Sequence, residues 1–263
     1  MEAFIDIHTH ILPDVDGGAK NLEEAKAMAR ASYNDGVRTI VATPHFGGYV
    51  SKEQDGGQGM ADRAYMERRA QAIREAHRQL CEACADLEGL EILLGSEIFC
   101  SAAGIDRIIA LIKDGLAFTI NGTNCVMIEM NYLAAYSELF NVARHFSDAG
   151  YTVLLAHAER YECLFKDEEK IRELIDHGVI IQMNAASIIE PKGILEKFSS
   201  HRKWGKTMIE DNLVHILGSD CHSPGRRGPN LAKGIETVRA KFGNDKAEEL
   251  QENARKILMG EYI

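Results

Sequence analysis

The sequence predicts an α/β fold in which parallel strands alternate with helices in a closed or nearly closed barrel. Seven short apolar runs rich in Ile, Val and Leu are each followed by a stretch with helical patterning. Continuous apolar runs of this length are typical of strands that are buried on both faces. An open doubly wound sheet is the second choice. The predicted strands are 3–8, 38–45, 91–98, 125–130, 152–157, 179–184 and 213–220.

The first predicted helix, 21–35, carries clear start and stop signals. Asn21 stands at the N-cap position, Glu24 follows three residues later, and Gly36 follows the end. The stretch 62–86 is rich in Ala, Arg, Glu and Gln, which predicts a long helix. The remaining predicted helices are 103–114, 134–149, 168–177, 203–212, 229–242 and 246–259.

Composition limits the function classes. The 263 residues carry a formal net charge of −10, which excludes a global basic footprint for nucleic acid or for an anionic membrane. Only five prolines and no low-complexity tract favour one domain, 1–263. No apolar stretch reaches the roughly 20 residues of a membrane span. We therefore expect no membrane insertion. The oligomeric state is not readable from the sequence.

Cysteine usage and the start of the chain predict a cytoplasmic protein. The first predicted strand begins almost at Met1, so we expect no signal peptide. The six cysteines are scattered along the chain, and we expect them to be reduced thiols. The glycine-rich segment 47–59 directly follows His45. It is either a loop bordering a functional site or a tolerated insertion.

Metal-ligand residues concentrate at the carboxyl ends of the predicted strands. Two of these ends carry alternating donors, in DIHTH at 6–10 and GSDCH at 218–222. Alternate residues of a strand point to the same side, so each pair aims two donors into one space. The strand-end residues with donor side chains are His8, His10, His45, Glu97, Glu129, His157, Asn184, Asp220 and His222.

Such a set of donors predicts a site for more than one divalent ion. Imidazole and carboxylate suit zinc, manganese or iron, and the absence of cysteine ligands argues against a structural zinc site. More donors are present than one ion needs, and Glu97 is the natural bridge because it lies in the middle of their order. Ions about 4 Å apart can activate water and hold both oxygens of a displacement.

Arginines beside this site suggest a phosphate group in the substrate. Arg160 follows His157 by three residues, and Arg226 and Arg227 follow His222 in a loop with Pro and Gly. Guanidinium groups pair well with phosphate oxygens. Surface salt bridges are the alternative reading of each arginine.

Six strings in this order resemble the PHP (polymerase and histidinol phosphatase) superfamily. More narrowly, they are similar to bacterial manganese-dependent protein-tyrosine phosphatases that accompany capsule and exopolysaccharide gene clusters. The strings are DIHTHILPDVDGGAK at 6–20, TIVATPH at 39–45, GSE at 95–97, AHAERY at 156–161, QMNAA at 182–186 and GSDCH at 218–222.

The resemblance implies a distorted seven-stranded (β/α) barrel with a trinuclear metal centre. Manganese is the first choice for the two or three ions, with iron and zinc as alternatives. Arg160 and Arg227 would bind phosphate, with Arg226 a neighbouring candidate. The substrate would be the phosphorylated tail of a membrane-associated tyrosine kinase that controls polysaccharide export. The implied metal ligands are His8, His10, Asp16, His45, Glu97, Glu129, His157, Asp220 and His222.

Two departures from the family pattern concern the third ion and the arginine loop. The first loop of this branch reads Asp-Asp-Gly, and its second aspartate is a ligand, whereas Gly17 stands at that position here. Asp16 or Asp14 would have to substitute, or the third ion would be held weakly. The family's Arg-Pro-Pro string is here Arg227, Gly228 and Pro229, which loosens that loop.

Other functions remain open on the sequence. The same centre could serve a phosphatase for histidinol phosphate or another small molecule, or a phosphodiesterase or nuclease. Cys221 and Arg227 have the Cys-x₅-Arg spacing of cysteine-dependent tyrosine phosphatases, but Asp220 beside the thiol would raise its pKa. A metal-binding regulatory module without activity is a further alternative.

Overall fold

The computed structural model describes residues 3–47, 62–190, 200–225 and 227–263, and it has the predicted α/β architecture with parallel strands. The strands are β1 (Phe4–Thr9), β2 (Val37–Ala42), β3 (His45–Gly47), β4 (Glu91–Leu94), β5 (Glu97–Phe99), β6 (Cys125–Glu129), β7 (Thr152–Leu155), β8 (Ile180–Asn184) and β9 (Ile216–Gly218). The helices are α1 (Leu22–Asn34), α2 (Arg63–Ala83), α3 (Ile105–Lys113), α4 (Tyr136–Asp148), α5 (Glu168–Asp176), α6 (Ala185–Ile188), α7 (Ser200–Glu210), α8 (Leu231–Phe242) and α9 (Asn244–Met259). The sequence does not predict the short helix α6.

Two predicted strands, 38–45 and 91–98, are each divided in the structure. β2 pairs with β4 and β3 pairs with β5, so both strands are interrupted at the same level. Pro44 lies in the first gap and has no N–H to donate, which interrupts the ladder. The carbonyl of Pro44 still accepts a hydrogen bond from the Glu97 N–H at 3.2 Å, so the pairing resumes beyond the gap.

The strands form two ordered groups, and hydrogen bonds beyond the strand ends bring the first and last strands side by side. Three strands run β1-β2-β4 and six run β3-β5-β6-β7-β8-β9, with every pair parallel. Beyond β9, the Asp220 N–H donates to the His8 carbonyl at 2.8 Å, and the His10 N–H donates to the Cys221 carbonyl at 2.9 Å. These bonds join the carboxyl ends of β1 and β9, an arrangement compatible with the predicted barrel.

A glycine permits this close approach of β9 to β1. A Cβ added at Gly218 would lie 2.6 Å from the Cβ of His8, a separation that real side chains do not reach. The absence of a side chain at Gly218 therefore lets His8 sit against the last strand.

Among the described residues, buried apolar side chains form two clusters on opposite sides of the strands. The larger cluster joins the strands to the helices, and the smaller contains Ile7, Met127, Leu154 and Ile216. The predicted N-cap of α1 is confirmed, because the side chain of Asn21 accepts a hydrogen bond from the Glu24 N–H. Within the described ranges, no helix is both long and apolar enough to cross a membrane. Most of the predicted loop 47–59 lies outside those ranges.

The hydrogen bond between β8 and His215 leads to a prediction about acid stability. The Ile181 N–H donates to His215 Nδ1 at 2.9 Å, and burial together with the nearby Lys246 lowers the pKa of His215 from 6.5 to about 4. The unfolded chain therefore takes up a proton between pH 6.5 and 4 while the folded chain does not. We expect the free energy of unfolding to fall as pH falls through this window.

The variant His215→Asn tests this expectation, since its side-chain oxygen can still accept from Ile181 but does not titrate. Urea unfolding of both proteins in EDTA, at pH 7 and pH 4.5, should show a smaller loss of stability in the variant. Equal losses would contradict the role of His215.

Candidate active site

The carboxyl ends of the parallel strands bring the predicted donor side chains together. In the described part of the chain, four overlapping groups have donor atoms within 4.8 Å of one another. Such overlap is typical of sites that hold more than one ion. The groups are His10, His45 and His222; His8, Glu97 and His157; His8, His10 and Asp220; and His45, Glu97 and Glu129.

Glu97 lies between two pairs of imidazoles. Its Oε1 is 2.7 Å from His157 Nε2 and 3.5 Å from His8 Nε2. Its Oε2 is 2.9 Å from His45 Nδ1 and 3.2 Å from His10 Nε2. The carboxylate is almost completely buried. Each oxygen therefore faces a different pair of donors, which is the geometry of a bridging carboxylate.

The two oxygens of Asp220 face different groups, imidazoles at Oδ1 and arginines at Oδ2. Oδ1 lies 3.3 Å from His222 Nδ1, 3.5 Å from His10 Nε2 and 3.8 Å from His8 Nε2. Oδ2 faces Arg227 Nη2 at 2.9 Å and Arg160 Nη2 at 3.2 Å. Asp220 thus links the imidazole cluster to both predicted phosphate-binding arginines.

Two residues of the cluster have a left-handed backbone conformation. His157 has φ of 35° and Asp220 has φ of 51°, and neither residue is a glycine. Conformations of this kind cost of order 1 kcal/mol each and are common at active sites. The surrounding hydrogen bonds hold both residues in place.

The charges of the cluster offset one another. Burial alone would raise the pKa of Glu97, but the imidazoles of His8, His10 and His157 hold it well below its usual range. Burial alone would lower the pKa of His10, but Asp16 and Glu97 raise it to about 10. Carboxylate charge therefore raises the pKa of a buried imidazole here, and divalent ions could balance the same charge.

Some buried atoms of the cluster have no hydrogen-bond partner in the part of the chain that the structure describes. Glu129 Oε2 and His157 Nδ1 are among them. Buried polar atoms in proteins are almost always paired, and a metal ion is one accepted reason for an exception. The donor set and these atoms together fit divalent ions.

Asp16 lies behind His10 and belongs to none of the four donor groups. Its Oδ2 is 2.8 Å from His10 Nδ1 and accepts a hydrogen bond from the His45 N–H at 3.0 Å. Its Oδ1 accepts from the Gly18 N–H. The contact with Nδ1 directs the other ring nitrogen of His10 towards Glu97 and Asp220. A carboxylate that holds a ligand histidine in this way is common at metal sites.

Arg160 and Arg227 reach the site from its open side. Both side chains are partly exposed, at 38% and 43%, and both guanidinium groups end on Asp220 Oδ2. The third sequence candidate, Arg226, lies outside the described residues.

Tyr132 is a site residue that the sequence reasoning missed. Its hydroxyl donates to Glu129 Oε1 at 2.6 Å and accepts from Arg160 Nη1 at 3.3 Å. Burial and the hydrogen bond to Glu129 raise the pKa of Tyr132, which keeps the phenol protonated. Its place three residues after Glu129 was the available signal.

Cys221 does not have the surroundings of a nucleophile. Its side chain is fully buried, and burial together with Asp6 raises the pKa of its thiol. A reactive cysteine needs a lowered pKa and access to substrate. Arg227, the arginine of the Cys-x₅-Arg spacing, forms its ion pair with Asp220.

The whole structure resembles that of a solved bacterial phosphatase. The match is described as "Crystal structures of YwqE from Bacillus subtilis and CpsB from Streptococcus pneumoniae, unique metal-dependent tyrosine phosphatases", with a TM-score of 0.80 and 26% identity over 98% of this chain and 96% of that one. A mutant organophosphorus hydrolase matches with a TM-score of 0.60 at 13% identity, which shows similarity of fold alone.

Sequence relatives cover the same length. The chain is 33% identical to "Tyrosine-protein phosphatase CpsB" of Streptococcus pneumoniae, over 98% of this chain and 100% of that protein. It is 28% identical to "Tyrosine-protein phosphatase YwqE" of Bacillus subtilis (strain 168), over 98% and 93%. The family described as "Capsular polysaccharide synthesis, CpsB/CapC" matches residues 4–259. The chain therefore belongs to the CpsB/CapC family.

Proposed function

We propose that this protein is a metal-dependent phosphatase that hydrolyses phosphotyrosine in proteins. The observation that carries the proposal is Glu97, whose two oxygens face separate imidazole pairs. Arg160 and Arg227 lie at the edge of the same cluster. The relatives named as tyrosine phosphatases support the choice of substrate class.

The residues present would hold two or three divalent ions. Imidazole and carboxylate donors suit manganese, iron and zinc alike, and manganese is the proposed native metal. When bound, such ions lower the pKa of water and neutralise phosphoryl oxygens. Asp16 would hold His10 in its binding orientation rather than bind a metal itself. The proposed ligands are His8, His10, His45, Glu97, Glu129, His157, Asp220 and His222.

The arginines would bind the phosphoryl group. Arg160 and Arg227 converge on one carboxylate oxygen from the open side, so phosphoryl oxygens arriving there would meet both guanidinium groups. These groups would stabilise the negative charge on the phosphoryl oxygens in the transition state. The hydroxyl of Tyr132 would hold the side chains of Arg160 and Glu129 in fixed positions relative to each other.

The leaving group would be a tyrosine phenolate. The parent phenol has a pKa near 10, so its departure needs less help from an acid than the departure of an alkoxide. The proposed substrate is the phosphorylated tail of a membrane-associated tyrosine kinase that regulates capsule or exopolysaccharide synthesis. A cytoplasmic location stays a prediction.

A substrate panel tests the proposed function. The manganese-loaded protein would be assayed on a phosphotyrosine peptide, on histidinol phosphate and on a nucleotide phosphodiester. We expect the highest kcat/KM on the peptide. A higher value on histidinol phosphate would favour a small-molecule phosphatase, and one on the phosphodiester a phosphodiesterase, and either would contradict the proposal.

Replacing Arg227 with Ala should lower kcat/KM for the phosphotyrosine peptide about 100-fold, because a charge-assisted contact to the transition state is lost. Steady-state kinetics measures the effect. Arg78→Ala is the control, since Arg78 is an exposed arginine paired with Glu75 on α2. Unchanged kinetics in both Arg227→Ala and Arg160→Ala would show that neither arginine binds phosphate.

A further inference from the structure

Strand β8 carries two buried side-chain amides that lie behind the donor cluster. Gln182 and Asn184 alternate along this strand, so their side chains point to the same side. Both are buried, with exposures of 0% and 3%. Their side chains connect three of the proposed ligands, namely His8, His157 and Asp220.

A backbone group fixes the orientation of both amides. The His157 N–H lies 2.7 Å from the side chain of Gln182, and a backbone N–H can only donate. The facing atom must therefore be the carbonyl oxygen Oε1, which directs the NH₂ group of Gln182 to Asn184 Oδ1 at 3.0 Å. The NH₂ group of Asn184 then donates to Asp220 Oδ2 at 2.7 Å.

The same oxygen fixes the proton on His8. His8 Nδ1 is 3.1 Å from Gln182 Oε1, and this oxygen carries no proton. Nδ1 must therefore be the donor, which leaves Nε2 of a neutral imidazole with its lone pair. That nitrogen faces His10 Nε2 at 3.3 Å and Glu97 Oε1 at 3.5 Å.

We propose that Gln182 and Asn184 are positioning residues that prepare His8 and Asp220 for metal binding. This inference rests on the proposed metal site. Gln182 selects the His8 tautomer with a free Nε2. Asn184 holds Asp220 Oδ2 from the buried side, while Arg227 holds it from the open side. Oδ1 of Asp220 is thereby left facing His8 and His10.

Metal affinity provides the first test. Zinc binding to Gln182→Met and Asn184→Leu would be measured by competition with a chromogenic chelator, using zinc ions alone as the probe. Loss of a hydrogen bond that orients a ligand weakens metal binding by about 10- to 100-fold. If Asn184→Leu does not fold, the near-isosteric Asn184→Asp takes its place. It replaces the NH₂ group that donates to Asp220 by a second carboxylate.

The control is Asn253→Leu. Asn253 is also buried, and its NH₂ group donates to the carbonyl of His215 at 2.9 Å. Its loss should lower the thermal stability as much as the loss of Asn184 does, yet leave zinc affinity unchanged. If Gln182 and Asn184 had a purely structural role, their variants would have the same zinc affinity as Asn253→Leu.

The tautomer of His8 provides the second test. Long-range ¹H–¹⁵N spectra of the zinc-loaded protein should show the His8 proton on Nδ1, with His8→Ala used for assignment. Wild-type affinity in the Gln182 and Asn184 variants, or a proton on Nε2 of His8, would overturn the proposal. If zinc affinity depends on both amides while phosphotyrosine is not hydrolysed, the proposed function fails and this inference stands.

Discussion

Replacement of Glu97 by Gln should abolish phosphatase activity while the fold is retained. Glutamine has the shape of glutamate but replaces one oxygen by NH₂, so one imidazole pair would lose its carboxylate contact. Metal ions contribute several kcal/mol of transition-state stabilisation, and each 1.4 kcal/mol is a tenfold change in rate. We therefore expect kcat on p-nitrophenyl phosphate to fall by roughly 10³-fold or more.

Metal content and activity should fall together in this variant. Glu173→Gln is a suitable control. Glu173 also accepts a hydrogen bond, but it lies on α5 and its donor is the hydroxyl of Tyr136 on α4. Circular dichroism would establish that Glu97→Gln folds. Near-normal turnover by a folded Glu97→Gln protein would show that the carboxylate is not part of the reaction centre.

Removal of divalent metal should have an effect of similar size, whereas loss of the Cys221 thiol should not. Treatment with EDTA is expected to reduce activity by roughly 10³-fold, because bound ions would supply the largest charge stabilisation in the site. Addition of manganese should restore it. Cys221→Ser should retain activity within a few-fold, since the thiol is fully buried and its pKa is raised.

The opposite pattern would favour the cysteine-dependent alternative. If Cys221→Ser abolishes turnover while EDTA leaves it intact, a thiolate and not a metal centre performs the reaction. Thermal unfolding of Cys221→Ser would separate a loss of nucleophile from a loss of packing. Activity and stability falling in parallel would point to packing alone.

The donor residues at the strand ends can be predicted from the sequence because the pattern that marks them, an apolar run followed by alternating donors, is local. Alternation of donors after an apolar run placed His8 and His10 on one side of β1, and the structure has them there with Nε2 atoms 3.3 Å apart. Parallel strands end at one edge, so distant donors such as Glu97 and His157 could be expected to meet. Their oxygen and nitrogen are 2.7 Å apart.

Hydrogen-bond partners were not predictable, since they depend on distant backbone. The place of Asp16 in the first loop suggests a ligand, but its contact with the His45 N–H depends on how that loop packs against the start of β3. Tyr132 lies only three residues after Glu129, but it is not part of an alternating donor pair, so its hydrogen bonds to Glu129 and Arg160 could not be predicted. Gln182 reads as part of an apolar run, and its function follows only from the position of the His157 N–H.

The most direct test of the account is a crystal structure of the protein soaked in manganese, with anomalous scattering to locate the ions. We expect at least two peaks among the donors around Glu97, with its two oxygens bound to different ions. An empty site in such crystals, with the imidazoles turned away from Glu97, would contradict it.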